Sequence, residues 1–326
     1  MTATANPLIA EGAPYVRDEL GEIEMVLRDR LDSEVPPVAE LGKFVVDSGG
    51  KRFRPAISVL FYKLLGEKGP RRDLLELAAV VEMIHLATLA HDDVIDRAES
   101  RRDHPSLWKR SSNRSAILEG DFIFSRAFGL LNPHHEGMRK LIIDTVDRVL
   151  EGELLQESLR NDIATEAQYD RVNEGKTAVL IGTACAVGAM VGDPDLDGDS
   201  QSDVYAAGVE LGLAYQMIDD LLDVFGDDEL GKPRWSDWRG GWLTWPYIEL
   251  IRRDPERRDQ LLNGSLDETG QREVIALMQA YEIPDRLQAR AQACVDRAQA
   301  TLGWLDDSAM ARLLWKTFDF AVGRNR

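Results

Sequence analysis

The stretch from Leu77 to Arg102, LAAVVEMIHLATLAHDDVIDRAESRR, is an apolar run of helical length that ends in three aspartates and two arginines. On an α-helix of about 3.6 residues per turn, Asp92 and Asp96 share a face because they are four positions apart. Two carboxylates on one face repel each other, and a divalent cation between them relieves that repulsion. The stretch therefore predicts a buried central helix that ends in a magnesium site.

A second copy of the acidic pattern, IDDLLD, lies at Ile218 to Asp223, where another apolar helical run, GVELGLAYQM, ends. Asp219 and Asp223 are again four positions apart and share a helix face. A single motif of this kind is more often a solvated acidic face than a metal site. Two copies in matching contexts make divalent-metal binding the favoured interpretation of both.

The composition argues against several classes of function. The chain has 326 residues and a formal net charge of -18, which disfavours nucleic acid or anionic lipid as a partner. Its two cysteines, Cys185 and Cys294, are too few for a disulfide framework and favour a reducing compartment. The N-terminal sequence MTATANPLIAEGAP has no export or transit pattern, and the longest apolar stretch, Ala178 to Gly192, is too short to span a bilayer. We therefore expect a cytoplasmic protein with no nucleic-acid partner and no transmembrane segment.

Basic residues next to predicted helix starts are candidates for phosphate binding. In GGKRFRP, at residues 49–55, a glycine pair precedes three cations and a proline that suits the first turn of a helix. The helix dipole and free N–H groups attract anions at such a point. The segment is therefore either a phosphate site or a solvated basic turn, and its cations are Lys51, Arg52 and Arg54.

Further candidates lie close to the acidic motifs in sequence or in helical phase. His85 is about two turns before Asp92 and shares its face, either as a site residue or as an ordinary core histidine. Two adjacent arginines, Arg101 and Arg102, follow the first motif. Because arginine's forked donors match phosphate oxygens, these two residues form either a phosphate contact or a surface salt bridge. A third phosphate site is possible at the start of the helix that follows Lys176.

A long loop is predicted from Gly226 to Pro246, GDDELGKPRWSDWRGGWLTWP, because the segment is rich in turn-forming residues. Lys232 lies where the loop can fold back over the second acidic motif. The loop contains four of the seven tryptophans of the chain. They are either a hydrophobic anchor for the loop or an aromatic lid over an apolar or cationic group.

Several segments together resemble the trans-isoprenyl diphosphate synthases, the polyprenyl synthetase family, and most of all its long-chain members. They occur in that family's order between about Gly49 and Pro246, and they are GGKRFRP, HDDVID followed by RR, GDFIFSRAF, EGELLQ, GKTA, YQMIDDLLD and GKP. The resemblance implies an all-α orthogonal helical bundle around a deep central cavity, the isoprenoid synthase fold, and a homodimer. We expect one domain over residues 1–326, with a flexible tail at residues 1–12.

The resemblance also implies roles for individual residues. Asp92, Asp96 and Asp219 would ligate a cluster of three magnesium ions, supported directly or through water by Asp93, Asp220 and Asp223. The residues with catalytic roles would be Asp92, Asp96, Lys176 and Asp219. The allylic diphosphate would be bound by Arg101, Lys176, Thr177, Gln216 and Lys232, and isopentenyl diphosphate by Lys51, Arg54, His85 and Arg102.

The implied activity is condensation of an allylic diphosphate with isopentenyl diphosphate. The helix turn before Asp92 presents Ala87 and Thr88, neither of them bulky, which predicts a long tunnel and a long-chain polyprenyl product. One alternative is an enzyme of the same fold that cyclises the allylic cation or transfers it to another acceptor. The other is a non-catalytic partner subunit of a heteromeric synthase. The retained residues for isopentenyl diphosphate argue against a cyclase, and the two intact acidic motifs argue against a partner subunit.

Three residues depart from the family's pattern. Asp103 stands where a glycine usually follows the arginine pair, and Trp235 replaces another glycine. Trp242 replaces the usual lysine of a GKxT-like segment, which removes one expected contact to the allylic diphosphate. Either Lys176 and Lys232 suffice for that substrate, or substrate use is altered.

Overall fold

Helices form nearly all the regular structure of the computed structural model, which describes residues 6–48, 50–97, 100–101, 104–226, 234–262 and 266–324. The first eight are α1 (Pro7–Ala10), α2 (Ala13–Arg30), α3 (Pro36–Asp47), α4 (Phe53–Leu64), α5 (Arg71–Ile95), α6 (Leu107–Arg110), α7 (Asn113–Leu131) and α8 (Glu136–Ser158). The next are α9 (Glu166–Asn173), α10 (Val179–Gly192), α11 (Gly198–Phe225), α12 (Ser236–Arg239) and α13 (Trp245–Arg253). The last four are α14 (Arg258–Leu262), α15 (Glu268–Ala280), α16 (Ile283–Thr301) and α17 (Ala309–Gly323).

One short hairpin interrupts the helices directly after the first acidic motif. Strands β1 (Ser100–Arg101) and β2 (His104–Pro105) pair antiparallel, with Ser100 opposite Pro105 and Arg101 opposite His104. No hairpin was expected from the sequence, because each strand is only two residues long and carries no alternating pattern.

Helix α5 is the buried central helix that the sequence predicts. Fifteen of its 25 residues are buried, and they occupy every side of the helix between Leu74 and Ile84. The helix packs against α2, α4, α7 and α10. A helix that is apolar all round is stable only in such an interior position, and its C-terminal end then delivers the first acidic motif to the site.

Helix α10 lies very close to α4 because glycines form the contact. A Cβ atom on Gly188 would lie 2.1 Å from the carbonyl oxygen of Ser58, and one on Gly192 would lie 2.6 Å from that of Tyr62. The Ser58 hydroxyl donates to the Ala184 carbonyl oxygen at 2.7 Å across the same interface. This close packing fixes the position of α10, which continues directly from the π-helical turn (Glu174–Ala178) that contains Lys176 and Thr177.

Two helical stretches, Arg71–Ile95 and Glu166–Gly192, are long and apolar enough to cross a membrane by length and composition alone. The second is longer than the apolar stretch judged from sequence, because α9, a π-helical turn (Glu174–Ala178) and α10 follow one another without a break. In their most apolar windows 78% and 83% of the residues are buried inside the fold. Burial to this extent is typical of core helices.

The N-terminal segment packs against the C-terminal helix. Leu8 on α1 is fully buried, and the buried apolar side chains from Leu8 to Val322 form one cluster. The Lys316 amine on α17 donates to Glu11 Oε2 at 2.7 Å. Within the segment 1–12, predicted to be a flexible tail, residues Pro7–Ala10 form a packed helix, and residues 1–5 lie outside the described residues.

Helix α7, which packs along α5, buries one carboxylate. Glu119 is 3% exposed, and its Oε1 atom has no hydrogen-bond partner among the residues that the structure describes. Because burial disfavours the charged form, the pKa of Glu119 rises to about 7. The folded protein therefore binds this proton more tightly than the unfolded chain does.

We predict that Glu119→Gln makes unfolding less dependent on pH. A raised folded-state pKa stabilises the fold below the unfolded pKa, and the stabilisation is lost as pH rises through about 7. Between pH 4 and pH 8 the free energy of unfolding should fall by up to about 3 kcal/mol more in the wild type than in the variant. Urea denaturation at both pH values measures this. Equal pH dependence in the two proteins would contradict the prediction, and Glu268→Gln, at an exposed position, is the control.

Candidate active site

The first acidic motif lies at the C-terminal end of α5. Asp92 is partly exposed and Asp93 is buried, both in the last turn, whereas Asp96 is the exposed residue just after the helix. The Asp96 N–H donates to the Asp92 carbonyl oxygen at 2.8 Å, which keeps the two residues on one side. The negative end of the helix dipole adds to the repulsion between the carboxylates. This end of α5 therefore attracts cations.

Lys176 is brought to this motif by the π-helical turn between α9 and α10. Its amine donates to Glu153 Oε2 at 2.9 Å and to Gln156 Oε1 at 2.8 Å. Burial alone lowers the pKa of Lys176, but the charges of Asp92, Glu153 and Asp96 outweigh burial and raise it. Lys176 therefore stays charged beside the first motif.

Thr177 connects the same turn to the second motif. Its hydroxyl donates to Gln216 Oε1 at 2.8 Å, and Gln216 Nε2 donates to Asp220 Oδ1 at 2.9 Å. The predicted pair Lys176–Thr177 thus lies between the two acidic motifs, with one residue turned to each.

Asp220 is buried on α11, and both of its oxygens are hydrogen-bonded. Tyr169 donates its hydroxyl to Oδ2 at 2.5 Å, and Gln216 occupies Oδ1. Burial raises the pKa of Asp220 to about 7, helped by the charges of Asp219 and Asp223, while the two hydrogen bonds oppose the rise. Asp220 is therefore held by the protein, and it contributes less negative charge near neutral pH than the sequence suggests.

Asp219 is paired with an arginine at the other end of the chain. Arg324 Nη1 lies 2.7 Å from Asp219 Oδ1, and Nη2 donates to the Tyr215 carbonyl oxygen at 2.7 Å. The guanidinium also lies over the Tyr215 ring, 3.6 Å from its centroid. The position that a metal ion would take beside this carboxylate is thus next to a fixed positive charge.

Asp223, the last aspartate of the second motif, caps a helix. Its Oδ1 accepts from the Ser236 N–H at 2.8 Å and from the Ser236 hydroxyl at 2.5 Å, and its Oδ2 accepts from the Asp237 N–H at 3.4 Å. Its carbonyl oxygen accepts from the Trp235 N–H at 2.8 Å. Asp223 therefore anchors the start of α12 in the loop after the second motif, a role that its spacing from Asp219 does not reveal.

The cations before α4 are not equivalent. Arg52 is buried, with Nη1 3.0 Å from Glu82 Oε1 and Nη2 donating to the Val46 carbonyl oxygen at 2.8 Å. It is thus a structural residue, whereas Lys51 is exposed and Arg54 is partly buried in the first turn of α4. Only Lys51 and Arg54 fit the predicted phosphate site.

Of the remaining residues predicted from the sequence, the structure describes some and not others. His85 is partly exposed on α5, two turns before Asp92. Ala87 is fully buried, and Thr88 is partly exposed and donates its hydroxyl to the His85 carbonyl oxygen at 2.8 Å. Arg101 is placed by its backbone only. Arg102, Asp103 and Lys232 lie outside the described residues.

The four loop tryptophans are buried, each 8% exposed or less, which supports the anchor interpretation. Trp235 has a left-handed backbone with φ +66°, the conformation that glycine adopts without strain. Its ring packs edge-on against Trp238 and Tyr247, with centroids 5.8 and 5.7 Å apart. Aromatic packing thus offsets the roughly 1–2 kcal/mol that the left-handed backbone costs a tryptophan.

One further cation beside the first motif was missed from sequence. Arg160 follows α8, and its Nη2 lies 3.4 Å from Asp96 Oδ1. Its Nε donates to Glu157 Oε2 at 2.7 Å, and its Nη1 donates to the Gly240 carbonyl oxygen. No motif contains Arg160, and 64 residues separate it from Asp96, so only the fold brings the two together.

The acidic residues do not form a metal site by themselves. Within the described ranges, no group of three or more histidine, cysteine, aspartate or glutamate side chains is placed to hold a metal ion. Carboxylate oxygens are nevertheless the donors that magnesium prefers, and Mg²⁺ is commonly bound by one or two carboxylates together with substrate phosphates. The partly exposed Asp92 and the exposed Asp96 fit that kind of site.

The chain is similar to known proteins over most of its length. Residues 35–283 match the model of the polyprenyl synthetase family. An octaprenyl diphosphate synthase from Haemophilus influenzae is 32% identical over 316 residues, 94% of each chain. A decaprenyl diphosphate synthase from Rhodobacter capsulatus superposes with a TM-score of 0.89 at 32% identity, covering 96% of this chain and 98% of that one. A polyprenyl synthase from Caulobacter crescentus, complexed with calcium and isoprenyl diphosphate, has a TM-score of 0.89 at 28% identity over both full chains.

These matches define an all-α prenyltransferase with the isoprenoid synthase fold. The chain belongs to the polyprenyl synthetase family. The fold class and the enzyme class predicted from the sequence are both confirmed.

We predict that Arg324→Ala tightens magnesium binding in the absence of substrate. The guanidinium competes with a cation for Asp219, so its removal should lower the Kd for Mg²⁺ by roughly 3- to 10-fold. Isothermal titration calorimetry measures the Kd directly. Arg297→Ala is the matched control. Arg297 pairs with Glu210, which lies on α11 like Asp219 but away from the motif. An unchanged Kd in Arg324→Ala would contradict the prediction.

Proposed function

We propose that the protein is a magnesium-dependent trans-prenyltransferase that condenses an allylic diphosphate with isopentenyl diphosphate to a long-chain polyprenyl diphosphate. The observation that carries the proposal is the position of residues 176 and 177. Lys176 is charged beside Asp92, and Thr177 is hydrogen-bonded through Gln216 to Asp220. A diphosphate placed between the motifs meets a cation, a hydroxyl and two sets of carboxylates, the groups needed to bind it together with metal ions.

The reaction requires stabilisation of the departing diphosphate. When the allylic C–O bond breaks, negative charge develops on the diphosphate oxygens. The positive charge of Lys176 would stabilise it there. Bound magnesium would neutralise the same charge and hold the leaving group. The double bond of isopentenyl diphosphate then attacks the allylic carbon, and the proton that is lost passes to the departed diphosphate. No serine or cysteine nucleophile is needed.

Three magnesium ions are the number that the family resemblance implies. The calcium in the Caulobacter crescentus complex supports a divalent-cation requirement. Because the described carboxylates are not preassembled, we expect the ions to bind tightly only together with diphosphate. Asp92 and Asp96 would bind from one side and Asp219 from the other, with Asp93, Asp220 and Asp223 behind them.

The second substrate would be held on the side of α4. Lys51 is exposed before α4, Arg54 lies in its first turn, and His85 lies on α5 in helical phase with Asp92. A cyclase needs no such site, so these residues favour chain elongation over cyclisation of the allylic cation.

A homodimer in the cytoplasm is the form in which we expect the single domain to act. Helix α8 exposes an apolar row, Ile143, Leu150 and Leu154, the last 71% exposed, at intervals of seven and four residues. Helix α7 adds Ile117 and Leu118, which are also exposed. Exposed apolar side chains grouped on a helix are typical of a protein interface, and they support association of two copies.

The decisive assay is incubation of the pure protein with Mg²⁺, labelled isopentenyl diphosphate and geranyl, farnesyl or geranylgeranyl diphosphate, followed by chromatography. A ladder of long polyprenyl diphosphates is the expected result. Consumption of the allylic substrate without incorporation of label would instead indicate a cyclase or another transferase. No turnover would indicate a partner subunit. Asp92→Asn should reduce the rate at least 100-fold, and Asp203→Asn, on α11 away from the motif, is the control.

Chain length provides a second prediction. Thr88 is partly exposed one turn before Asp92, so Thr88→Phe should place a ring in the path of the growing chain and shorten the main product. Ala87→Phe should act in the same direction, but Ala87 is fully buried, so that variant also requires a check of folding. Product chromatography measures the shift. An unchanged product distribution in Thr88→Phe would show that the chain runs elsewhere.

A further inference from the structure

The end of α8 holds two cations beside the first acidic motif. Glu153 and Gln156 accept hydrogen bonds from Lys176. Glu157, one turn after Glu153, accepts a hydrogen bond from Arg160. Residues three and four apart share a helix face, so the three acceptors form one row along α8. The row places two positive side chains near the carboxylates at the end of α5.

The Arg160 guanidinium also connects the two halves of the site. It contacts Asp96 of the first motif and donates to the Gly240 carbonyl oxygen, in the segment that follows α12. The N–H of Asn161 donates to the Gly241 carbonyl oxygen at 2.7 Å, which fastens the two turns together. Since Asp223 caps α12, Arg160 is fixed to a loop that the second motif positions.

Arg160 is not fully used by these contacts. Arginine has five N–H donors, and three of them have acceptors among the residues that the structure describes. The side chain is 31% exposed, and the carboxylate of Asp96 that it contacts is 52% exposed. An exposed ion pair at 3.4 Å is weak. The guanidinium can therefore exchange Asp96 for another anion at little cost.

We propose that Arg160 is a diphosphate-binding residue. When Asp96 releases it to bind a metal cation, Arg160 binds the diphosphate of the allylic substrate together with Lys176. This inference rests on the proposed function. Two N–H donors of a planar guanidinium match two phosphate oxygens in a fixed fork geometry, whereas a lysine amine binds phosphate as a point charge. The neighbouring Trp242 is buried and uncharged, so it brings no positive charge to the loop that Arg160 contacts. Arg160 provides that charge from the turn after α8.

The test compares three substitutions of one residue. Arg160→Ala removes charge and donors, Arg160→Gln keeps an amide that can donate to Gly240 but no charge, and Arg160→Lys keeps the charge but not the fork. Steady-state kinetics are measured with each substrate varied in turn. We expect the KM for the allylic diphosphate to rise roughly 10-fold or more in the first two variants and less in the third. The KM for isopentenyl diphosphate should stay within about 2-fold.

Two controls separate charge from loop structure. Arg171→Ala removes an exposed arginine that pairs with Glu151 on α8, and it should change neither KM. The double variant Arg160→Ala with Trp242→Lys returns a positive charge to the loop, and it should recover part of the lost affinity. A wild-type KM in Arg160→Gln would overturn the inference, because loop contact alone would then explain the residue.

Calorimetry with Mg²⁺ and inorganic diphosphate makes the outcome independent of turnover. Binding to Arg160→Ala should be about 10-fold weaker than binding to the wild type or Arg171→Ala. Equal binding would overturn the role of Arg160 even if the wild type makes polyprenyl products. If the wild type makes none, the proposed function fails, and the same titration still decides whether Arg160 binds diphosphate.

Discussion

Repulsion among six carboxylates at the C-terminal ends of α5 and α11 is the constraint on which the structure of the site depends. Both motifs lie at C-terminal helix ends, where the helix dipole adds to the negative charge. The protein reduces that charge by different means at different positions. Lys176 and Arg160 face the first motif, Arg324 faces Asp219, and burial leaves Asp220 with a pKa near 7. Each motif can therefore keep its carboxylates at its own helix end before any substrate arrives, although among the described residues they are not assembled into a metal site.

The parts of the fold and site that could be predicted from sequence are those that depend on local spacing. The buried α5 follows from a continuous apolar run, and the shared faces of Asp92 with Asp96 and of Asp219 with Asp223 follow from their four-residue spacing. Arg160 and Arg324 could not be found in this way. They lie 64 and 105 residues from the aspartates that they contact, and neither stands in a recognisable motif.

Backbone conformation explains a second limit of prediction. Lys51, Arg52 and Arg54 look alike in sequence, but Arg52 adopts a left-handed conformation with φ +46° at the start of α4. That turn directs its side chain inward to Glu82, in a buried ion pair whose separation would leave a charge without compensation. The tryptophan loop is similar, because only the fold shows that all four rings are buried anchors.

The capping role of Asp223 affects how the second motif is to be understood. Its carboxylate holds the start of α12, and α12 leads into the segment to which Arg160 and Asn161 are fastened. A change at Asp223 thus removes a charge and also disturbs α12, through which the second motif is linked to Arg160 and so to the first motif. Asp220 is also held by the protein, through Tyr169 and Gln216. The two acidic motifs are therefore alike in sequence, but the aspartates of the second motif have structural roles that the spacing does not show.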